Sequence, residues 1–139
     1  MSKRSDRARP RTAAAPCPCG SPAGYGGCCG PLHRGEAAAP TAERLMRSRY
    51  SAFAVGDAGY LLRTWHPRTR PRSLDLDPGL RWLRLEIIGV GDGTAFHTEG
   101  TVSFRAVYRD GGGEGELRED SRFLRHDGAW TYLDGLVQG

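Results

Sequence analysis

The chain has 139 residues, 38% of them hydrophobic and 26% charged, enough for one compact domain and too few for two. It holds no run of about 18 apolar residues, so no membrane-spanning helix is expected. Its net charge of +4 is carried by Lys3, Arg4, Arg7, Arg9 and Arg11 against Asp6, which leaves the rest of the chain neutral and argues against a nucleic-acid-binding body.

Residues 1–16 are rich in Pro and Ala and offer nothing to bury, so they are predicted to form a disordered basic tail, capable at most of weak nucleic-acid contact. The tail leads to Ala13, Ala14, Ala15 and Pro16 rather than to an apolar stretch, which argues against a secretory signal. The expected compartment is therefore the cytoplasm, where cysteines stay reduced. Residues 17–35 form a Cys/Gly/Pro segment, and residues 36–139 read as an α+β domain.

In that domain a first helix is predicted from an N-cap at Thr41, with an apolar ridge of Ala42, Leu45, Met46, Ala52 and Phe53 and with Tyr50 at its edge. Gly56 is placed to end it in a left-handed cap. Asp57 then caps a second short helix, AGYLLRTW, and His66 is pushed out of helical geometry by Pro67. Residues 67–79 hold three prolines and read as a connection. Beyond them the pattern alternates. Leu83, Leu85 and Ile87 are expected on one strand face, as are Val102, Phe104, Ala106 and Tyr108. Leu117, Glu119, Ser121 and Phe123 share a third strand, and Trp130 and Tyr132 the last. Gly91 to Gly93, Asp110 to Gly113 and Asp127-Gly128 mark hairpin turns. Helices followed by antiparallel strands make an α+β layout in which the helices cover one face of a curved sheet.

All four cysteines fall within residues 17–29: Cys17 and Cys19, eight residues, then Cys28 and Cys29. Four soft ligands that converge on a tetrahedron suit zinc, and the intervening GSPAGYGG is half glycine, so it can turn tightly. A disulfide or redox pair is the competing reading. His33, four residues past Cys29, could take the place of Cys29 as fourth ligand. A four-thiolate site has no open position and is structural rather than catalytic.

CPCGS followed by CC resembles the small zinc motif called SEC-C, found on the tail of the bacterial preprotein-translocase motor and on many other bacterial proteins. Cys17, Cys19, Cys28 and Cys29 occupy its ligand places, with Gly20 and Ser21 after the first pair. The usual version continues Gly-Lys-Lys-Tyr-Lys-Lys. Here Pro22, Ala23, Gly24, Tyr25, Gly26 and Gly27 keep the aromatic and lose every lysine, so the resemblance implies metal binding and not partner binding through basic side chains. LMRSRYSAF at 45–53, DAGYLLRTWHP at 57–67 and EDSRFLRHDGAWTYLDG at 119–135 extend the likeness to the YchJ-like family of bacterial proteins. That resemblance implies a SEC-C-type motif ahead of a nuclear-transport-factor-2-like cone, a bent sheet closed by helices. It implies no reaction.

Two charges break the apolar pattern. Arg49 lies on the ridge of the first helix, and Glu119 lies on a strand face beside Ser121. Charges facing a core need partners, so Arg49 and Glu119 are expected to pair beneath the helix, either as a structural bridge or as a ligand anchor. Arg49, Trp65, Glu119 and Arg122 are the candidate ligand contacts, and His66 and Glu119 the candidate catalytic groups. The sequence contains no nucleophile elbow, no His-Glu-x-x-His, and no helix after Gly89 to Gly93 that would make a phosphate loop. The leading expectation is a zinc-stabilised binding module whose cone holds a small ligand or a protein partner. The alternative is a small lyase or isomerase using His66 or Glu119 as base. A homodimer formed through the sheet is a further expectation.

Overall fold

The computed structural model describes residues 14–138, and most of the sequence-predicted tail lies outside them. Ala15 and Pro16, assigned to that tail, are tied to the Cys-rich segment. The Ala15 carbonyl accepts from Tyr25 N at 2.8 Å, and Pro16 bridges Gly24. That segment continues through a single 3-10 turn, Tyr25–Gly27, into α1 (Cys29–His33).

Helix α2 (Ala42–Val55) begins and ends where its caps dictate. The Thr41 hydroxyl accepts from Arg44 N at 3.1 Å, a cap worth about 1 kcal/mol, and Gly56 closes the helix at φ 82°. Asp57 caps α3 (Ala58–Arg63) by accepting from Tyr60 N at 3.0 Å. Residues 64–80 cross the molecule without helix or strand.

Four antiparallel strands follow in simple meander order: β1 (Arg81–Asp92), β2 (Glu99–Asp110), β3 (Gly113–His126) and β4 (Ala129–Gln138). The β3–β4 hairpin turns on Asp127 and Gly128, both at positive φ (51° and 84°), the geometry that matches the strands' own twist. One face of the sheet packs beneath α2. Phe123, Leu45, Leu61 and Val102 are fully buried, each contributing about 1.5–3 kcal/mol. Val102, Phe104 and Ala106 face inward as their alternation requires.

Strand β1 departs from the expected face. The pairing skips from Trp82 to Arg84 and again from Ile87 to Gly89. These bulges add a residue, shift the parity and bend the strand. Trp82, Leu85 and Ile87 pack on the core, while Leu83 is exposed. The turn expected at Gly91 to Gly93 also moves: β1 runs through Gly91 and Asp92, and residues 93–98 make the connection.

The Cys-rich segment is no separate appendage. Its four cysteines and Tyr25 belong to the same apolar cluster as Leu45, Val102 and Phe123. Leu32 packs with Ala52, Tyr60 and Leu61.

Candidate metal centre and ligand cavity

Glycines and prolines let residues 17–29 fold back so that all four thiols converge. Their Sγ atoms lie within 4.8 Å of one another, and all four residues are buried. Cys19 and Cys28 are 3.6 Å apart and Cys28 and Cys29 4.0 Å. Those separations are too long for disulfides and bracket the edge, about 3.8 Å, of a tetrahedron with Zn–S bonds of about 2.3 Å. The four cysteines are free. Sulfur hydrogen bonds from Cys19 and Cys29 hold the Cys17 thiol far below the usual range. The same contacts to Cys17 and Cys19, with burial, push Cys29 up. Four crowded, buried sulfurs cannot all ionise unless a cation sits among them, so this donor set fits a thiophilic metal ion.

Helix α2 clamps the centre. Ser51 Oγ lies 3.6 Å from Cys17 Sγ, Arg44 donates to the Cys28 carbonyl at 3.2 Å, and Arg47 to that of Cys19 at 3.0 Å. His33 has a different task from ligation. Its Nδ1 lies 2.6 Å from the Tyr25 hydroxyl and its Nε2 2.8 Å from the Ser48 carbonyl. The carbonyl can only accept, so Nε2 carries the proton and the Tyr25 hydroxyl donates to Nδ1. Burial lowers the His33 pKa, which keeps the ring neutral. Ser48, wholly buried, bonds Tyr60 OH at 2.7 Å. Sequence reasoning missed Ser48 and Ser51, because a small hydroxyl on a helix reads as surface.

On the sheet side of α2 lies a cavity of about 280 Å³. Phe53, Trp82, Phe104 and Leu117 make its apolar walls, and Arg49, Trp65, Glu119 and Tyr132 also line it. Arg49 is 4% exposed. Its Nη1 donates to the Leu61 carbonyl at 2.8 Å and to Thr64 Oγ1 at 2.7 Å. Its guanidinium lies over Trp65 at 5.1 Å and over Tyr132 at 4.7 Å, cation–π contacts that offset part of its desolvation. Burial lowers its pKa to about 10, so it is charged at neutral pH.

The expected direct pairing of Arg49 with Glu119 is corrected: among the described residues no ion pair joins them. Tyr132 stands between. Its hydroxyl donates to Glu119 Oε2 at 3.1 Å, and Ser121 Oγ donates to the same oxygen. The carboxylate lies over the bare backbone of Gly135, where a Cβ would collide with it.

Trp65 is set against Tyr132 because residues 64–66 run along the edge strand. His66 N donates to the Tyr132 carbonyl at 2.8 Å, and Tyr132 N to that of Thr64 at 2.9 Å. This placement turns His66 away from the cavity. Its Nδ1 accepts from Arg68 N at 3.0 Å, and its ring sits 5.1 Å from that of His126, so it is no base for the cavity. Arg122 also lies elsewhere. It is exposed and forms a two-pronged bridge to Asp134 at 2.7 and 2.6 Å, one strand position away from Ser121 and hence on the other face.

A family model described as "YchJ, middle NTF2-like domain" matches residues 41–135. A UPF0225 protein of Streptomyces coelicolor is 67% identical over 120 residues, covering 86% of this chain and 94% of its own. One from Corynebacterium glutamicum is 51% identical over 121 residues, covering 87% and 96%. Among solved structures, a SEC-C motif containing protein from Rhodopseudomonas palustris superposes with a TM-score of 0.78 at 35% identity, covering 88% of this chain and 98% of that one. A sec-c motif containing protein from Psychrobacter arcticus gives 0.72 at 28% identity, covering 88% and 82%. With its clustered thiols packed on a cone-like domain, the chain belongs to the YchJ-like, UPF0225 family.

Proposed function

We propose that this is a zinc-stabilised binding protein whose cavity takes up a small ligand. The observation that carries the reading is the charged Arg49 buried in an aromatic-walled cavity that holds few other polar groups, Glu119 among them, a pattern that suits ligand recognition. Cys17, Cys19, Cys28 and Cys29 hold the metal. Zinc is favoured over other ions by four thiolates in a tetrahedral spacing. Arg44, whose Nη1 lies 4.0 Å from Cys29 Sγ, offsets the net negative charge of such a centre. The metal's role is structural: it fixes the segment that α2 grips.

Four free thiols favour a reducing compartment, which supports a cytoplasmic location. Among the described residues no helix is long and apolar enough to cross a membrane.

A second reading, a proton-transfer enzyme of the lyase or isomerase type, draws on Glu119, whose carboxylate lines the same cavity. It requires turnover that Glu119→Gln abolishes while ligand uptake persists.

Native mass spectrometry of the protein isolated from its own cells tests the main reading. The expected mass is that of the chain with about one zinc, set by the ligand count, and a small-molecule adduct. The adduct is lost in Ala106→Trp, whose indole fills the cavity. Protein carrying zinc alone contradicts ligand uptake, and metal-free protein contradicts the structural centre.

A further inference from the structure

Resting on the cavity-binding reading above, we propose that the ligand is a small aromatic carboxylate with a hydrogen-bond donor at its far end, held between Arg49 and Glu119. The inference comes from hydrogen-bonding capacity left over inside the cavity. Arg49 uses only Nη1 for protein acceptors, so among the described residues Nε and Nη2 have none. Trp65, whose ring lies under that guanidinium, keeps its indole Nε1 buried without an acceptor. Buried donors are almost always satisfied, and each exception calls for a partner. The two unused nitrogens of Arg49, Nε and Nη2, share one edge of the guanidinium and match the paired oxygens of a carboxylate.

At the other end the surplus is of the opposite kind. Ser121 and Tyr132 both donate to Oε2 of Glu119, and among the described residues Oε1 receives no donor. A ligand anionic at both ends would be repelled there, whereas a hydroxyl would supply the missing bond. The Tyr132 ring separates the two ends, 4.7 Å from the guanidinium on one side and bonded to Glu119 on the other. The ligand therefore runs alongside an aromatic ring. Its body is apolar and flat because Phe53, Trp82 and Phe104 wall the space. A cavity of about 150 Å³ admits benzene. The 280 Å³ found here has room for one ring with a short arm.

The test follows the indole N–H resonances by NMR in titrations with three probes: 4-hydroxyphenylacetate, phenylacetate and 4-ethylphenol. The Trp65 signal is identified by its absence from Trp65→Phe. In the wild type, 4-hydroxyphenylacetate should shift that signal and bind about tenfold more tightly than 4-ethylphenol, which lacks the carboxylate. Phenylacetate, without the donor, should fall between them. Trp65→Phe preserves the ring beneath Arg49 and should leave the order of the three affinities unchanged. If 4-ethylphenol binds as tightly as 4-hydroxyphenylacetate, the carboxylate assignment is overturned and the cavity remains a binding site for neutral molecules. If no probe moves the Trp65 signal at millimolar concentration, the aromatic-carboxylate assignment is overturned, and the native mass measurement alone then decides whether the cavity takes up another ligand.

Discussion

The ring of Tyr132 carries the Arg49 guanidinium at 4.7 Å from its centre, while its hydroxyl donates to the Glu119 carboxylate at 3.1 Å. One side chain thus joins a buried cation on a helix to an acid on a neighbouring strand without letting them touch. The arrangement leaves the cation accessible to whatever enters the cavity. A direct bridge would have quenched it.

Tyr132→Phe keeps the cation–π contact and removes the hydrogen bond to a charged acceptor. It should lower stability by about 1.5–3 kcal/mol. Tyr132→Leu removes both contacts and should cost more, by about another 1 kcal/mol. Urea denaturation of the three proteins checks the order. Equal losses in the two variants would mean the ring contributes nothing to holding Arg49.

Gly135 lies under the Glu119 side chain, and a methyl group there would meet the carboxylate. Gly135→Ala should therefore destabilise by about 1–3 kcal/mol through overpacking. Glu119→Ala frees that space, so the double variant should be more stable than the sum of the two single losses allows. Strict additivity in a double-mutant cycle would show that the side chain does not rest on Gly135.

His33 is held neutral by burial, with its pKa lowered. As pH falls through the ordinary histidine value, about 6.5, the unfolded chain takes up a proton before the folded one does. Stability then declines with a limiting slope of about 1.4 kcal/mol per pH unit. Above that value the contribution is fully present. With zinc in excess, the loss of stability between about pH 7.5 and pH 5.5 should be larger for the wild type than for His33→Gln. Parallel curves would show that His33 keeps its proton affinity on folding.

Much of this was legible in the residues, and the failures have physical causes. Thr41, Gly56 and Asp57 mark helix ends by local backbone chemistry, which no distant contact overrides. The thiol cluster is announced by spacing. Leu83 departs from the expected face because a bulge is an insertion in the pairing and leaves no trace in the alternation before it. Arg49 stood out as a charge on an apolar ridge, but its partners Thr64 and Trp65 lie on a segment that joins the edge of β4 beside its third partner, Tyr132. Only the fold reveals that junction. Ser48 and Ser51 are buried because α2 is packed on two sides, against the sheet and against the cysteine segment. A single-stripe reading of a helix cannot anticipate the second side.

The proposed division of labour gives a metal the task of holding the Cys-rich segment in place and gives the cavity on the far side of α2 the task of binding. Cobalt(II) substitution measures it directly, since the visible bands of the ion report its ligands. With all four thiolates engaged the centre has no open position. The bands should be those of a tetrahedral tetrathiolate and should stay unchanged under saturating 4-hydroxyphenylacetate or cyanide. Bands that shift on adding either would place an exchangeable ligand on the metal and contradict a purely structural centre.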